Sequence, residues 1–233
     1  MINKTQPDYA STGSNIARRK FVLNGPTSRH RSATEEYIKE GYQRCYQAKI
    51  GQPMPLLLSL TVTDTPRAAL GLRPAGEEQL FLENYLDNPI ESTIASAAAQ
   101  PIMRDSIVEI GNLVATQRVG SQLLFIVMTA ALAEAGFHWI TFTATPQVVK
   151  LIARLGFTPL DLGAANPDRL IDEGASWGSY FQTSPRIQAG LLKEAMAALQ
   201  ANHASAEQLS RYRETIAQLA VSISADKATH RAR

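Results

Sequence analysis

The 233-residue chain contains a single cysteine, Cys45, which excludes an internal disulfide and suits a reducing compartment. Long apolar runs are also missing. The most apolar stretch, residues 123–133, has about 11 residues, whereas roughly 20 are needed to cross a bilayer. Residues 1–30 lack the apolar core of a secretion signal. We therefore expect a cytoplasmic protein without an integral membrane segment.

A strong charge of one sign is absent, since the formal net charge at pH 7 is only +2. This balance implies no polyanionic partner, and we predict no nucleic-acid binding. Basic residues do gather near the N-terminus, namely Arg18, Arg19, Lys20, Arg29, His30 and Arg31. Because residues 1–30 are polar and lack hydrophobic periodicity, we predict that they form a disordered, solvated basic tail.

Residues 106–136 are predicted to form a strand, a tight polar turn and a long apolar helix. Gly111 and Asn112 interrupt the β-forming residues where a bulge would lie. The segment 117–122 then turns into a helix that Gly136 can end. A helix start presents free N–H groups and the positive end of the helix dipole, so this turn is suited to bind an anion such as phosphate.

The rest of the chain alternates strand and helix patterns, which predicts a mixed α/β sheet flanked by helices. Strands are predicted at 56–63, 67–72, 139–143 and 157–160, with a proline-interrupted edge strand at 179–188. Helices are predicted at 32–48, 90–99 and 146–155. A capping box of Ser32 and Glu35 would open the first of them, while residues 81–86 fit either a strand or a short helix.

Beyond residue 191 the character changes to two amphipathic stripes separated by a polar break at residues 202–205. We interpret residues 191–233 as a C-terminal helical extension, either a hairpin or two helices. It would pack on the domain or mediate self-association, and the second alternative would give a homodimer through these helices.

Five ordered motifs carry a family resemblance: FLENYLDNPIE (81–91), RDSIVEIGNLV (104–114), HWITFTAT (138–145), ARLGFTPL (153–160) and WGSYF (177–181). Together they resemble the thermostable haemolysin family, which is similar to GNAT-type N-acyltransferases and to acyl-homoserine-lactone synthases. The resemblance covers roughly residues 29–190. It implies a GNAT-like acyltransferase domain at 31–190, a small-molecule acceptor, and an acyl thioester as co-substrate.

The resemblance also implies where the thioester would bind. The strand ending at Ala115 and the strand ending at Thr143 would splay apart, and backbone groups of Leu113, Val114 and Ala115 would hold the pantetheine arm and polarise its carbonyl. The pyrophosphate loop would consist of Gln117, Arg118, Val119, Gly120, Ser121 and Gln122. Gln122 departs from the family's Gly or Ala at that position, and its side chain would either crowd or bind a diphosphate. The donor is therefore either acyl-coenzyme A or an acyl carrier protein.

Glu109 is the candidate general base, because it precedes the bulge and the family motif has a Glu there. Burial among apolar neighbours would raise its pKa toward neutrality. The alternative is a structural Glu paired with Arg104 or another base. Asn112 would fix the bulge or orient a substrate carbonyl. The helix at 146–155 lacks the Tyr that GNAT enzymes often use as acid, which leaves that role vacant or to Tyr180.

Four further residues are candidates for binding the acceptor. Glu83 and Tyr85 belong to a family-specific motif, Thr143 lies at the cleft mouth, and Trp177 lies near Tyr180; each has a structural alternative as a solvated, capping or packing residue. His138 has no cysteine or histidine partner at metal spacing, so no metal site is predicted.

Four functions remain open from the sequence. The first is a GNAT-like acyltransferase acting on a small amine or alcohol. The second is a haemolysin that acts on membranes directly or through an acylated product. The third is a non-catalytic module that binds acyl thioesters, and the fourth is homoserine-lactone synthesis.

Overall fold

The computed structural model describes residues 19–76, 78–172 and 174–231. They form a seven-stranded sheet in the order β1-β2-β3-β4-β5-β7-β6. The strands are β1 (Arg19–Asn24), β2 (Leu56–Val62), β3 (Thr65–Pro74), β4 (Ile107–Ala115), β5 (Trp139–Ala144), β6 (Leu160–Ala164) and β7 (Arg186–Leu191). β4 and β5 pair in parallel, and the other neighbours pair antiparallel. The predicted mixed α/β sheet is confirmed.

Helices cover both faces of this sheet. They are α1 (Arg31–Tyr46), α2 (Ile90–Ala98), α3 (Arg118–Glu134), α4 (Pro146–Arg154), α5 (Leu192–Ala201), α6 (His203–Arg211) and α7 (Arg213–Arg231). Because side chains alternate along a strand, Val108 and Ile110 pack with α3, α4, α5 and α7, whereas Ile107 packs in the cluster that includes α2. Helix α1 lies over Leu57 and Ala69, on the side of the sheet opposite α3.

The C-terminal segment folds into three helices, α5 to α7, instead of the predicted hairpin or pair of helices. Ile216, Leu219 and Ile223 of α7 are buried in the same core as α3. Helix α3 is apolar on nearly all sides because it lies between the sheet and these helices. Self-association through the C-terminal helices stays a prediction.

Two predictions near the N-terminus are wrong. Residues 19–24 are not a disordered tail but the edge strand β1, where Phe21 packs on Tyr212 with ring centroids 5.2 Å apart. Residues 1–18 of the predicted tail lie outside the described residues. Ser32 does not cap α1, because the helix begins at Arg31, whose Nε instead donates to Glu35 at 2.6 Å.

The structure also corrects the bounds of the two strands predicted at 157–160 and 179–188. The strand expected at 157–160 is β6 at Leu160–Ala164. In the segment 179–188, residues 180–183 form a 3-10 turn, and β7 begins only after Pro185. Pro185 precedes the ladder, so β7 loses no backbone hydrogen bond to it. Strand β7 lies between β5 and β6, and the edge strand on this side of the sheet is β6. The ambiguous segment near residue 81 is a 3-10 turn, Phe81–Tyr85.

Candidate active site

Strands β4 and β5 lie side by side only over part of their length. Their ladder runs from Ile107 opposite Trp139 to Ile110 opposite Phe142, although β4 continues to Ala115. The strands therefore separate beyond this last pair, as the resemblance implied, and a cleft opens between them.

Asn112 forms the bulge that bends β4 away from its neighbour. Its φ is 51°, a left-handed conformation that Asn tolerates better than most residues. Its side-chain Oδ1 accepts the backbone N–H of Met54 at 2.9 Å. Opposite the bulge, the register with β3 shifts between Ala69 and Gly71. These contacts fit the bulge-fixing role, and a direct role of Asn112 in catalysis stays a prediction.

Two adjacent cavities occupy this region. The main pocket has a volume of about 380 Å³, which suits a small molecule. A cleft cavity of about 50 Å³ lies where β4 and β5 diverge. The residues that line both are Tyr42, Ile110, Gly111, Asn112, Thr143 and Tyr180. The cleft cavity and the main pocket are therefore direct neighbours.

Aromatic rings line much of the main pocket. Trp177 lies 5.2 Å from Tyr180 and 5.5 Å from Phe81, measured between ring centroids. Tyr85 also lines the pocket, as does Tyr42 of α1. Of the predicted acceptor-binding residues, the structure thus brings Tyr85, Thr143 and Trp177 together here.

Glu83, the fourth predicted acceptor-binding residue, points elsewhere. It accepts hydrogen bonds from the backbone N–H groups of Leu80 and Ile90 and from both terminal nitrogens of Arg104, at 2.6 and 2.8 Å. Burial would raise the pKa of Glu83, but these hydrogen bonds outweigh it and lower that pKa. Glu83 organises the turn beside the pocket and does not line the pocket itself.

Glu109 lies on the floor of the main pocket and is only 2% exposed. Its two oxygens accept the backbone N–H groups of Phe81 at 2.9 Å and Leu82 at 3.0 Å. Arg73 Nη1 lies 4.0 Å from Oε2. Burial raises the pKa of Glu109 to about 7, against the lowering effect of these N–H groups and of Arg73. The predicted alternative partner, Arg104, binds Glu83 instead.

Tyr180 and Thr143 lie together at the junction of the two cavities. The Tyr180 hydroxyl donates to the Thr143 carbonyl at 3.4 Å. The Thr143 hydroxyl oxygen is buried and has no hydrogen-bond partner within the described part of the chain. Burial raises the pKa of Tyr180 well above its usual value, so the phenol stays protonated at neutral pH. The Thr143 hydroxyl is therefore available to a ligand in the cleft, whereas the Tyr180 hydroxyl would have to leave its long contact with the Thr143 carbonyl to donate to that ligand.

The turn that opens α3 places only some of the predicted donor-binding residues near the cleft. Leu113 lines the cleft cavity, whereas Val114 packs against α1 and Ala115 is exposed. The carbonyl of Gln117 accepts the N–H groups of Gly120 and Ser121, which are therefore engaged within the helix. Arg118 begins α3, but its side chain lies outside the described residues. Ser121 is buried, and Gln122 is half-buried.

A wider surface depression borders the same turn. It has a volume of about 1020 Å³ and includes Gln117, Val119 and Gly120. Its other walls carry arginines from three elements, Arg19, Arg67 and Arg211. The depression is therefore positively charged and lies beside the start of α3.

Sequence reasoning misses several of the pocket residues. The strand predicted at 67–72 stops short of Arg73, whereas Arg73 lies on β3 directly opposite Glu109. Tyr42 and Phe81 reach the pocket from segments that are distant in sequence, and only the fold brings them there. No group of three or more potential metal ligands occurs in residues 19–76, 78–172 and 174–231. None of the helices in the described part of the chain could span a bilayer.

Solved structures identify the class to which this architecture belongs, namely the GNAT-like acyltransferase fold. The N-acyl amino acid synthase FeeM from uncultured soil microbes aligns with a TM-score of 0.56 and 15% identity, over 81% of this chain and 98% of its own. The CoA-dependent acyl-homoserine lactone synthase BjaI, solved with SAM and isopentyl-CoA, aligns at 0.52 and 11%, over 79% and 89%. The lactone synthase LasI aligns at 0.51 and 8%, over 76% and 91%.

The sequence profile of the family described as thermostable hemolysin matches residues 24–196. The chain belongs to this family. A search of curated proteins by sequence gives no match.

Proposed function

We propose that this protein transfers an acyl group from an acyl thioester to a small amine or alcohol. The observation that carries the proposal is the cleft between β4 and β5, which borders a pocket that holds the buried carboxylate of Glu109. A thioester arm in the cleft and an acceptor in the main pocket would meet at this junction. Such alignment of two reactants accounts for a large part of the barrier reduction in acyl transfer.

The donor side of the reaction would depend on main-chain groups. Beyond Ile110, β4 no longer shares a ladder with β5, so its backbone there can bind pantetheine and polarise the thioester carbonyl. The buried Thr143 hydroxyl, which has no partner in the described part of the chain, is a further donor at the same place.

Both thioester donors are compatible with the surroundings of the cleft. The turn Gln117–Gln122 and the basic depression beside it would bind the diphosphate of coenzyme A or an acidic carrier protein. The structurally similar BjaI binds isopentyl-CoA in its solved structure. In the present chain Gln122 replaces a small residue of this loop, so the assay below includes coenzyme A and carrier-protein donors.

In the proposed step, the acceptor nitrogen or oxygen attacks the thioester carbonyl and gives its proton to Glu109. A pKa of about 7 suits this exchange at neutral pH, since an effective base titrates near the working pH. The carbon–sulfur bond then breaks, and the leaving thiolate takes a proton from the Tyr180 hydroxyl. Tyr180 borders both cavities, so it can reach a sulfur placed in the cleft.

A thiol-release assay tests the proposal. Purified protein is supplied with acyl-coenzyme A of graded chain length, or with acyl carrier protein, in the presence and absence of a panel of amines and alcohols. Acceptor-dependent release supports acyl transfer. Binding of the thioester without release from any donor would instead indicate a non-catalytic module.

The family description makes direct lysis of membranes the competing function. Red cells and liposomes are therefore incubated with the protein alone and with protein, thioester and acceptor. Lysis that requires the thioester supports an acylated, surfactant-like product. Lysis by the protein alone favours direct action on the membrane, and it would show that acyl transfer is not the cause of lysis.

A further inference from the structure

We propose that Arg73 binds the carboxylate of the acceptor, and that the acceptor is therefore an α-amino acid. This inference rests on the proposed acyl transfer and specifies the substrate class of the same site. The juxtaposition behind it is a largely buried guanidinium beside the candidate base, both facing the main pocket.

Register places the two groups together. Arg73 of β3 lies directly opposite Glu109 of β4, and opposite residues of paired strands project from the same face of the sheet. The side chain of Arg73 is 19% exposed and lines the pocket. Among the described residues that line this pocket, Arg73 is the one cation. A mostly buried guanidinium calls for an anionic partner, because an uncompensated buried charge is costly.

The protein itself satisfies this guanidinium incompletely. Its Nη1 lies 4.0 Å from Glu109 Oε2, which is beyond hydrogen-bond distance. Its Nε lies 3.0 Å from Glu78 Oε1, but the N–H direction does not form a hydrogen bond, and this buried nitrogen has no such partner among the described residues. Glu78 is itself half-exposed. The planar guanidinium therefore retains donors that match the two oxygens of a ligand carboxylate.

An α-amino acid carries its amine and its carboxylate on one carbon atom. A carboxylate bound at Arg73 would therefore place the amine next to Glu109, the proposed base. Each oxygen of Glu109 accepts one backbone N–H and keeps a further lone pair for that amine. The positive and negative ends of the zwitterion thus face a carboxylate and a guanidinium, respectively.

A plain alkylamine fits this arrangement less well. Its ammonium form could pair with the carboxylates that line the pocket, but it would leave Arg73 without a ligand anion. The other acidic residue of the pocket, Asp172, accepts the backbone N–H groups of Gly174 and Ser176 and shapes its own loop. A zwitterionic acceptor therefore satisfies both Arg73 and Glu109, whereas a cationic one satisfies only carboxylates.

The test compares leucine, phenylalanine and serine with leucinamide, phenylalaninamide and serinamide. Each acceptor is assayed for thiol release with wild type, Arg73→Gln and Arg73→Lys. Arg186→Gln is the matched control, because Arg186 forms an exposed pair with Asp161 at the sheet edge. Binding of the same compounds without thioester is measured by calorimetry, and thermal melting checks that each variant folds.

We expect wild type to favour amino acids over their amides about ten- to hundredfold in kcat/KM, as loss of a charge-assisted bidentate contact implies. Arg73→Gln should abolish this preference, mainly through the KM of the amino acid. Any change that it causes through the pKa of Glu109 should be the same for amino acids and amides. Arg73→Lys keeps the charge but not the planar fork, so it should retain part of the preference. It also provides the test if the Gln variant does not fold.

Equal use of amino acids and amides by wild type would overturn the inference and leave acyl transfer intact. The same holds if Arg73→Gln slows both classes equally, because that pattern indicates an effect through Glu109. If no acceptor supports thiol release, the proposed function fails, but the binding measurement still decides the inference. Amino acids that bind wild type and not Arg73→Gln support it, and amino acids that bind neither overturn it.

Discussion

The carboxylate of Glu109 accepts the backbone N–H of Phe81 at 2.9 Å. The candidate base therefore also anchors the start of the 3-10 turn Phe81–Tyr85, which contributes two aromatic rings to the pocket wall. Chemistry and architecture are coupled at this contact, because a change at Glu109 alters both the proton acceptor and the position of the wall. Experiments on Glu109 must separate the two effects.

The pH dependence of turnover separates the loss of the proton acceptor from displacement of the pocket wall. Because the unprotonated carboxylate acts as the base, kcat/KM of wild type should rise with pH through about 7 and then level off. Glu109→Gln should lower turnover by about 10² or more and remove this rise. Exposed Glu194→Gln on α5 is the matched control and should behave as wild type. If Glu109→Gln keeps a normal rate and the rise of kcat/KM near pH 7, Glu109 has a structural role and is not the base.

Stability should depend on pH at the same residue with the opposite trend. The folded state raises the pKa of Glu109, so it binds this proton more tightly than the unfolded chain does. Its contribution to the free energy of unfolding is therefore greatest at low pH and falls as pH rises from the ordinary carboxyl value through about 7. Between about pH 5 and pH 8, wild type should lose on the order of 2 kcal/mol relative to Glu109→Gln. Urea unfolding at both pH values measures it, and parallel pH curves would contradict the prediction.

The central part of the fold can be predicted from the sequence because its signals are local. Gly111 and Asn112 interrupt a run of β-forming residues, and the bulge lies there, with Asn112 in a left-handed conformation. The apolar helix after it is too short for a membrane and lies buried under the sheet. A Glu between apolar strand residues is expected to be buried and to have a raised pKa. Glu109 is buried, and its pKa is raised.

The composition of the pocket cannot be predicted in the same way, because it depends on contacts between distant segments. Arg73 meets Glu109 through the β3–β4 register, 36 positions apart by residue number. Glu83 lies in a motif next to Tyr85, but the two side chains diverge on the 3-10 turn, one toward Arg104 and one into the pocket. A short segment such as β1 gives a weak signal by itself and becomes a strand only through pairing with β2.

Removal of the Tyr180 hydroxyl tests the proposed acid. Tyr180→Phe should lower kcat about tenfold or more with little change in KM, because the thiolate then leaves without a proton. An acyl thioester with an acidic aryl thiol needs no such proton, so it should restore the rate of the variant. Tyr37→Phe is the control, since the Tyr37 hydroxyl bonds Arg67 and Thr116 at the surface. Equal losses with both thioesters would contradict the role as acid.

The contact between Arg104 and Glu83 should stabilise the fold. Arg104→Gln leaves the mostly buried Glu83 without its charged partner, and we expect a loss of about 2–3 kcal/mol in the free energy of unfolding. Breaking the exposed pair of Asp87 and Arg169 by Asp87→Asn should cost less than about 1 kcal/mol. Unfolding in guanidinium measures the loss of stability in the two variants. Equal losses would show that the buried ion pair stabilises the fold no more than the exposed one.

Gly41 controls how closely α1 approaches the bulged strand. A Cβ at this position would collide with the side chain of Val114 on β4. Alanine favours a helix by up to about 1 kcal/mol over glycine, but overpacking at a close contact costs about 1–3 kcal/mol. We therefore expect Gly41→Ala to destabilise the protein.

A second substitution and a control variant test the prediction for Gly41. Val114→Ala removes the colliding methyl groups, so the double variant should recover stability beyond the sum of the single changes. Gly51→Ala adds the same methyl group where no atom lies within 4 Å, and it should be nearly neutral. Since Val114 follows the bulge by two positions, displacement of β4 in Gly41→Ala should also lower thiol release. A stabilised Gly41→Ala with normal turnover would show that α1 is free to shift without disturbing the cleft.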